Sequence, residues 1–277
     1  MEPRRHILGP VTVSRIGFGA MQLPGPGVFG PPRDRTAAIA VLRRAVELGA
    51  DHIDTAQYYG PGVANELIRT ALHPYPAELA LVSKVGARRD ASGGVLRYDR
   101  PAELRQGIED NLRSLAVDHL TVVNLRLMDD ATPGQYFDDQ LAAMVAERED
   151  GLIGGIGLSN ITPGHLRRAL AITDIACVQN LADRRSMPVL EECHARGIAF
   201  VPFFPLGSGL TVAGTRSRLA GQLRPPPSAC AARPPRWLLN LRPEVLLIPG
   251  TSSISHLEEN MAVADIGLDS EARDLLG

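Results

Sequence analysis

His52-Ile53-Asp54-Thr55, Val63-Ala64-Asn65-Glu66-Leu67-Ile68-Arg69-Thr70-Ala71-Leu72 and Leu79-Ala80-Leu81-Val82-Ser83-Lys84 follow one another with short connections. The outer pieces are apolar runs of strand length, and the middle piece is amphipathic and of helix length. A strand, a helix and a strand in that order make a βαβ unit, whose two strands run parallel. The alternation continues in both directions. Strands are predicted at Arg15–Ala20, His52–Thr55, Leu79–Lys84, Leu120–Leu125, Ile153–Leu158, Ala176–Gln179, Ala199–Phe203 and Val245–Ile248. Helices are predicted near Thr36–Leu48, Val63–Leu72, Ala102–Leu115, Asp138–Glu149, Pro163–Ile172, Met187–Ala195 and Ser255–Val263. Pro101 and Pro163 suit first-turn positions, and Gly49, Gly151 and Gly197 stand where helices stop.

Strands each followed by a helix predict an α/β fold. Eight of them predict a closed (β/α)8 TIM barrel, a single domain over residues 1–277, rather than an open doubly wound sheet. His6–Val13 is predicted as a short N-terminal hairpin that closes the barrel floor. Gln222–Arg236 breaks the pattern where the seventh helix is due. A proline inside a helix costs about 3 kcal/mol or more, so this segment reads as a surface loop, or as the product of a local reading-frame slip.

The composition, 44% hydrophobic and 22% charged, is that of a globular domain with a large core. A net charge of −2 argues against a general attraction to nucleic acid or to anionic membrane. Cys177, Cys193 and Cys230 are odd in number and lack metal-ligand spacing, so unpaired thiols, no metal site and a cytoplasmic setting are expected. Met1-Glu2-Pro3-Arg4-Arg5 is followed by no apolar stretch of the kind a signal peptide carries, and no apolar run reaches the length of a membrane span. No coiled-coil pattern indicates an oligomeric state.

Of 29 basic residues 28 are arginine; the one lysine, Lys84, closes an apolar strand-like run. Arginine is a broad, always-charged fork, whereas lysine is a compact ammonium that fits beside another titrating group. In a barrel, groups that do chemistry gather at the C-terminal ends of the strands. Asp54 ends the second predicted strand, Tyr59 lies in the loop after it, and Lys84 ends the third. Arg126 follows the fourth, Ser159 and Asn160 end the fifth, Gln179 the sixth and Phe203 the seventh. A carboxylate, a phenol, an ammonium, a guanidinium and several amides therefore meet at one end.

The stretch His52-Ile53-Asp54-Thr55-Ala56-Gln57-Tyr58-Tyr59-Gly60 resembles the Asp-Thr-Ala-x-x-Tyr-Gly signature of the aldo-keto reductase family. Gly17-Phe18-Gly19-Ala20-Met21, Ser83-Lys84-Val85, Gly157-Leu158-Ser159-Asn160, Pro205-Leu206-Gly207 and Ile248-Pro249-Gly250-Thr251 leading to Glu259-Asn260 are similar to its other motifs, in the same order. The resemblance runs through nearly the whole chain and implies hydride transfer from NADPH to the carbonyl of a small aldehyde or ketone. It singles out Tyr59 rather than Tyr58 as the acid. An unperturbed phenol titrates near ~10, and a neighbouring ammonium would lower that value. Lys84 would supply that charge, held by Asp54.

Most relatives carry His where this chain has Arg126. Arginine donates several hydrogen bonds and keeps its charge, so Arg126 would polarise the carbonyl or grip an anionic or phenolic substituent. The alternative is a structural arginine paired with Asp129 or Asp130. The form Asn124-Leu125-Arg126 resembles a bacterial subgroup that includes pyridoxal reductases, which implies a small aromatic aldehyde.

The resemblance assigns Ser159, Asn160 and Gln179 to the nicotinamide carboxamide and Phe203 to stacking on the ring. Gly19, Ala20, Met21, Asp54, Pro205, Leu206 and Ser208 complete the inner part of the cofactor site. Gly250, Thr251, Ser252, His256, Glu259 and Asn260 would hold its phosphate end, where a helix N-terminus favours anions. Relatives commonly have Lys and Arg at the positions of Gly250 and His256, which weakens the grip on a 2′-phosphate; NADPH is still favoured, with NADH tolerated. Specificity is expected from loops at Pro24–Pro32, Arg88–Arg97 and Met128–Tyr136 and from the irregular Gln222–Arg236 segment. Two other readings stay open: a Schiff-base barrel with Lys84 as nucleophile, disfavoured by Asp54, and a cofactor-binding sensor with little turnover.

Overall fold

The N-terminal hairpin forms from β1 (Arg5–Leu8) and β2 (Val11–Ser14), paired antiparallel with Leu8 opposite Val11. Gly9, at its turn, has φ +60°, and a side chain there would meet the Val122 methyl at 3.0 Å. The hairpin plugs the barrel floor: Leu8 and Val13 join an apolar cluster with Ala80, Val82, Val122, Cys177, Ala199, Val201 and Leu246. The computed structural model describes residues 5–129, 132–181, 183–203 and 238–262.

β3 (Phe18–Gly19), β4 (His52–Asp54), β5 (Ala80–Arg89), β7 (Val122–Arg126), β8 (Ile156–Ser159), β9 (Cys177–Gln179) and β10 (Ala199–Phe200) form a parallel sheet in that order. The predicted eighth strand closes the ring without forming a continuous ladder. The Leu246 N–H donates to the Phe200 carbonyl at 2.9 Å on one side, and the Gly17 N–H donates to Leu247 at 2.8 Å on the other. Arg15 is buried at this seam, and its guanidinium donates to the carbonyls of Val245 (3.1 Å), Arg242 (2.8 Å) and Leu239. Membrane spans are absent from the described residues: no helix is long and apolar enough to cross a bilayer.

Most strands differ by a residue or more from the sequence reading, Ala199–Phe203 shrinking to Ala199–Phe200, and two of the changes shape the site. Arg15–Ala20 contracts to Phe18–Gly19 because Ala20–Gln22 turns into a 3-10 helix. β5 outruns the predicted Leu79–Lys84, so Lys84 lies inside it rather than at its end. Beyond Val85 the strand leaves the barrel and finds new partners in β6 (Val95–Tyr98), antiparallel, with Gly86 opposite Tyr98 and Arg89 opposite Val95. Gly86 makes the exit feasible. Its φ is +104°, and a Cβ there would lie 2.3 Å from the Arg126 carbonyl oxygen, so the strand rides directly over the backbone of β7.

The helices α1 (Arg35–Glu47), α2 (Val63–Leu72), α3 (Pro101–Leu115), α4 (Gln135–Glu149), α5 (Pro163–Leu170), α6 (Met187–His194) and α7 (Ile254–Met261) begin where capping chemistry allows. Asp34 accepts from the Ala37 N–H at 2.9 Å, Thr162 caps α5 ahead of Pro163, and Ser253 caps α7. Gly49, Gly151 and Gly197 take positive φ after their helices. The second apolar layer lies between strands and helices, with Ile53, Val123, Leu125, Ile156 and Leu158 packed with Leu67, Ile68, Leu104, Ile108 and Leu141. Gln222–Arg236, Pro205, Leu206 and Ser208 lie outside the described residues.

Candidate active site

The parallel register decides which side chains meet. It sets Gly19 beside Asp54, and it lines up Arg126, Ser159 and Gln179 across β7, β8 and β9. Asp54 and Lys84 are 3% and 6% exposed, too buried to stay charged without partners. They partner each other: the Lys84 ammonium donates to Asp54 Oδ1 and to the Thr55 carbonyl at 3.1 Å. Gln179 Nε2 donates to the second oxygen, Asp54 Oδ2, at 2.6 Å. Both carboxylate oxygens and the ammonium are thereby engaged.

Tyr59 covers this pair. The Lys84 nitrogen lies 5.2 Å from the centre of the Tyr59 ring, and Tyr58 meets the same ring edge-on with centroids 5.3 Å apart. Tyr59 is buried, yet no hydrogen bond joins its hydroxyl to another described residue. The phenol is pushed above its usual value, first by burial and then by the Asp54 carboxylate, while Arg126 and Arg89 pull it down. The sequence reading gave the downward pull to Lys84. In the structure Asp54 neutralises that ammonium, so the pair presents a dipole, and the two guanidiniums exert the pull instead.

A buried polar network braces the same loop from behind. Thr55 Oγ1 donates to Asn65 Oδ1 at 2.7 Å, and Asn65 Nδ2 reaches Gln57 (2.9 Å), Asn111 (3.0 Å) and Ser114 (2.9 Å). Ser83 Oγ donates to Asn111 Oδ1 at 2.6 Å. Thr55 and Gln57, ahead of Tyr59, and Ser83, the residue before Lys84, are thus tied to α2 and α3. Asn65 and Asn111 escaped the sequence reading; polar residues within otherwise amphipathic helices were the only signal.

Arg126 has no carboxylate partner among the described residues. Its Nη1 lies 2.7 Å from Met128 Sδ, and the Asp129 carboxylate is taken by Arg97. Asp130, the other partner considered, lies outside them.

Ser159 is buried, whereas Asn160 is exposed, has φ +62° and donates Nδ2 to the Leu127 carbonyl at 3.0 Å. Gln179 differs from its expected role in one respect: its amide nitrogen serves Asp54, while its oxygen Oε1 is buried with no hydrogen-bond partner among the described residues. Phe203 lies at a bridge with Leu181. Gly19 and Gly250 bring two backbones together: a Cβ on Gly250 would lie 2.4 Å from the Gly19 oxygen, and one on Gly19 would lie 2.5 Å from the Ile248 oxygen. Ala20 is buried and Met21 packs at the core edge. Thr251 Oγ1 accepts from the Ser253 N–H at 3.1 Å, ahead of α7, where Ser252, His256 and Glu259 are exposed and Asn260 half-buried.

A (β/α)8 barrel with Asp, Tyr, Lys and Gln converging at its C-terminal mouth defines a class of oxidoreductase. Residues 15–229 match the aldo/keto reductase family, and the chain belongs to it and is a nicotinamide-dependent enzyme. It is 46% identical to pyridoxine 4-dehydrogenase of Escherichia coli over 283 residues, covering 100% of this chain and 98% of that one. It is 38% identical over 269 residues to an uncharacterized oxidoreductase of Schizosaccharomyces pombe, covering 95% and 86%. In fold it is similar to an aldo-keto reductase of Bacillus halodurans solved in its holo form, with a TM-score of 0.81, 23% identity and coverage of 99% and 95%. An aldo-keto reductase of Klebsiella pneumoniae solved with NADPH gives a TM-score of 0.76 at 24% identity, covering 100% and 94%.

Proposed function

We propose that this chain reduces an aldehyde to an alcohol with NADPH, Tyr59 acting as general acid, and that pyridoxal is the first substrate to test. The observation that carries the reading is the Tyr59 phenol, packed at the barrel mouth over the Asp54–Lys84 pair, its hydroxyl hydrogen-bonded to no other described residue. A nicotinamide held by these residues would supply the hydride. As the carbonyl carbon accepts it, the oxygen takes the Tyr59 proton, and water returns a proton to the phenolate. An alkoxide is a stronger base than a phenolate, so the transfer runs downhill even from a phenol whose proton affinity burial has raised. Asp54 holds Lys84 beneath the ring, and Arg126 offers N–H donors at the carbonyl side.

The residues present fit a nicotinamide. Gln179 Oε1 is a buried acceptor lacking a donor, and a carboxamide NH2 provides one. Ser159 and Asn160 stand at the end of the adjacent strand, and Phe203 offers a π face. The glycines at positions 19 and 250 leave room where a side chain would block the rim, and the N-terminus of α7 with the hydroxyls of Thr251 and Ser252 offers donors to phosphate. His256, Glu259 and Asn260 flank that end. The pyridoxine named for the Escherichia coli relative is a small aromatic alcohol, the product side of the reduction proposed here.

The test is loss of NADPH absorbance on adding pyridoxal, repeated with NADH at equal concentration. Oxidation dependent on pyridoxal and faster with NADPH is expected. A clear preference for NADH would overturn the cofactor assignment, and no oxidation with pyridoxal or any other aldehyde would overturn the reductase reading.

A further inference from the structure

The extension of β5 past the barrel carries Arg89 to the loop that bears Tyr59, and the charges of this hairpin are unequally matched. Arg97 binds the carboxylates of Asp99 (3.0 Å) and Asp129. Arg88 lies against the Tyr98 ring, its guanidinium carbon 5.6 Å from the centroid. Asp90 is engaged at the hairpin turn, accepting from the Ser92 and Gly94 N–H groups at 2.9 and 2.8 Å. Arg89 is half-buried, and no carboxylate binds it among the described residues. Its Nε donates to the Tyr58 carbonyl at 3.1 Å and its Nη1 to the Gly93 carbonyl at 2.6 Å, which leaves Nη2 without a partner among the described residues.

Those two bonds fix the guanidinium against the peptide that precedes Tyr59. Three residues earlier, Gly86 rides on the Arg126 backbone, so one strand ties Arg89 to the rim that bears Arg126. Gly93, at the hairpin tip, abuts the Phe29 ring of the first loop, where a Cβ would lie 3.2 Å away. Two guanidiniums, from β5 and β7, thus act on one phenol, and neither has a carboxylate partner among the described residues. A partly desolvated guanidinium without a counter-ion gains most from an anionic oxygen, which it binds through charge-assisted bonds.

We propose that Arg89 is a specificity-determining residue, which with Arg126 selects aldehydes that carry an ionised oxygen on the same ring as the carbonyl. The inference rests on the reductase reading and deepens it. The Arg89 charge also favours the phenolate left after proton transfer from Tyr59, so its influence on the reaction is electrostatic as well as positional.

The test compares 3-formylbenzoate with its neutral isostere 3-formylbenzamide in the wild type, Arg89→Met and Arg89→Lys. A hydrogen bond to a charged group is worth about 1.5–3 kcal/mol, or roughly tenfold to a hundredfold. The wild type is expected to prefer the carboxylate in kcat/KM by about that factor. Arg89→Met should lose the preference, the carboxylate falling about tenfold or more beyond any fall for the carboxamide, and Arg89→Lys should restore part of it. Equal use of the two compounds by the wild type, or an equal fall for both in Arg89→Met, would overturn the inference alone. Reduction of neither would overturn the reductase reading and the inference with it. If Arg89→Met does not fold, competitive inhibition of the wild type decides. Benzoate outcompeting benzamide severalfold, with salt weakening it, supports the clamp, and equal inhibition defeats it.

Discussion

Tyr59→Phe is expected to lower kcat for aldehyde reduction by about two to four orders of magnitude, the range that a positioned general acid supplies. Only the hydroxyl is lost. No described residue hydrogen-bonds it, so no protein donor or acceptor is left unsatisfied, and fold and NADPH binding should survive. A fluorescence titration with NADPH checks the second half of the expectation. Turnover near the wild-type rate would remove Tyr59 from the mechanism. The direction of the phenol's shift adds a sign. Burial and Asp54 raise its proton affinity, so the acid form persists at and above pH ~10, where a free phenol titrates. Reduction by the wild type should therefore show no alkaline fall from loss of this proton below that pH.

Lys84→Met is expected to cost about 3–5 kcal/mol of stability, because it strands the Asp54 carboxylate in the barrel interior with only the Gln179 amide as a donor. Activity should fall as well, since Asp54 would then face Tyr59 uncompensated. The double variant Asp54→Asn/Lys84→Met removes both charges and should recover a large part of the lost stability, though not the activity. Urea unfolding of the two single variants and the double one measures the coupling. Additive losses would mean that the two side chains do not act as a pair.

The βαβ alternation and the glycine stops made the barrel legible, because strand and helix periods are local properties of the chain. Asp54, Tyr59, Lys84 and Arg126 were legible for a related reason. A parallel barrel gathers strand ends, so position along each strand is enough to bring them together. The partner of Lys84 was legible too, since an isolated buried ammonium requires an acid. The role of Arg89 was not. It reads as one arginine among many in a supposed specificity loop, and only the hydrogen-bonding switch of β5 from β7 to β6 reveals where it goes. That switch depends on Gly86 crossing the Arg126 backbone, a contact between residues 40 positions apart that no local pattern encodes. The Asn65–Asn111 network escaped for the same reason, as its members lie on different elements.

Isotope transfer tests the central claim most directly. Reduction of pyridoxal, or of the first aldehyde found to turn over, with NADPH deuterated at its transferable position should place one deuterium on the alcohol carbon, detected by mass spectrometry. The same incubation with Tyr59→Phe should yield almost no labelled alcohol while the cofactor still binds. Alcohol formed without label at that carbon, or with label taken there from deuterated solvent, would contradict hydride transfer.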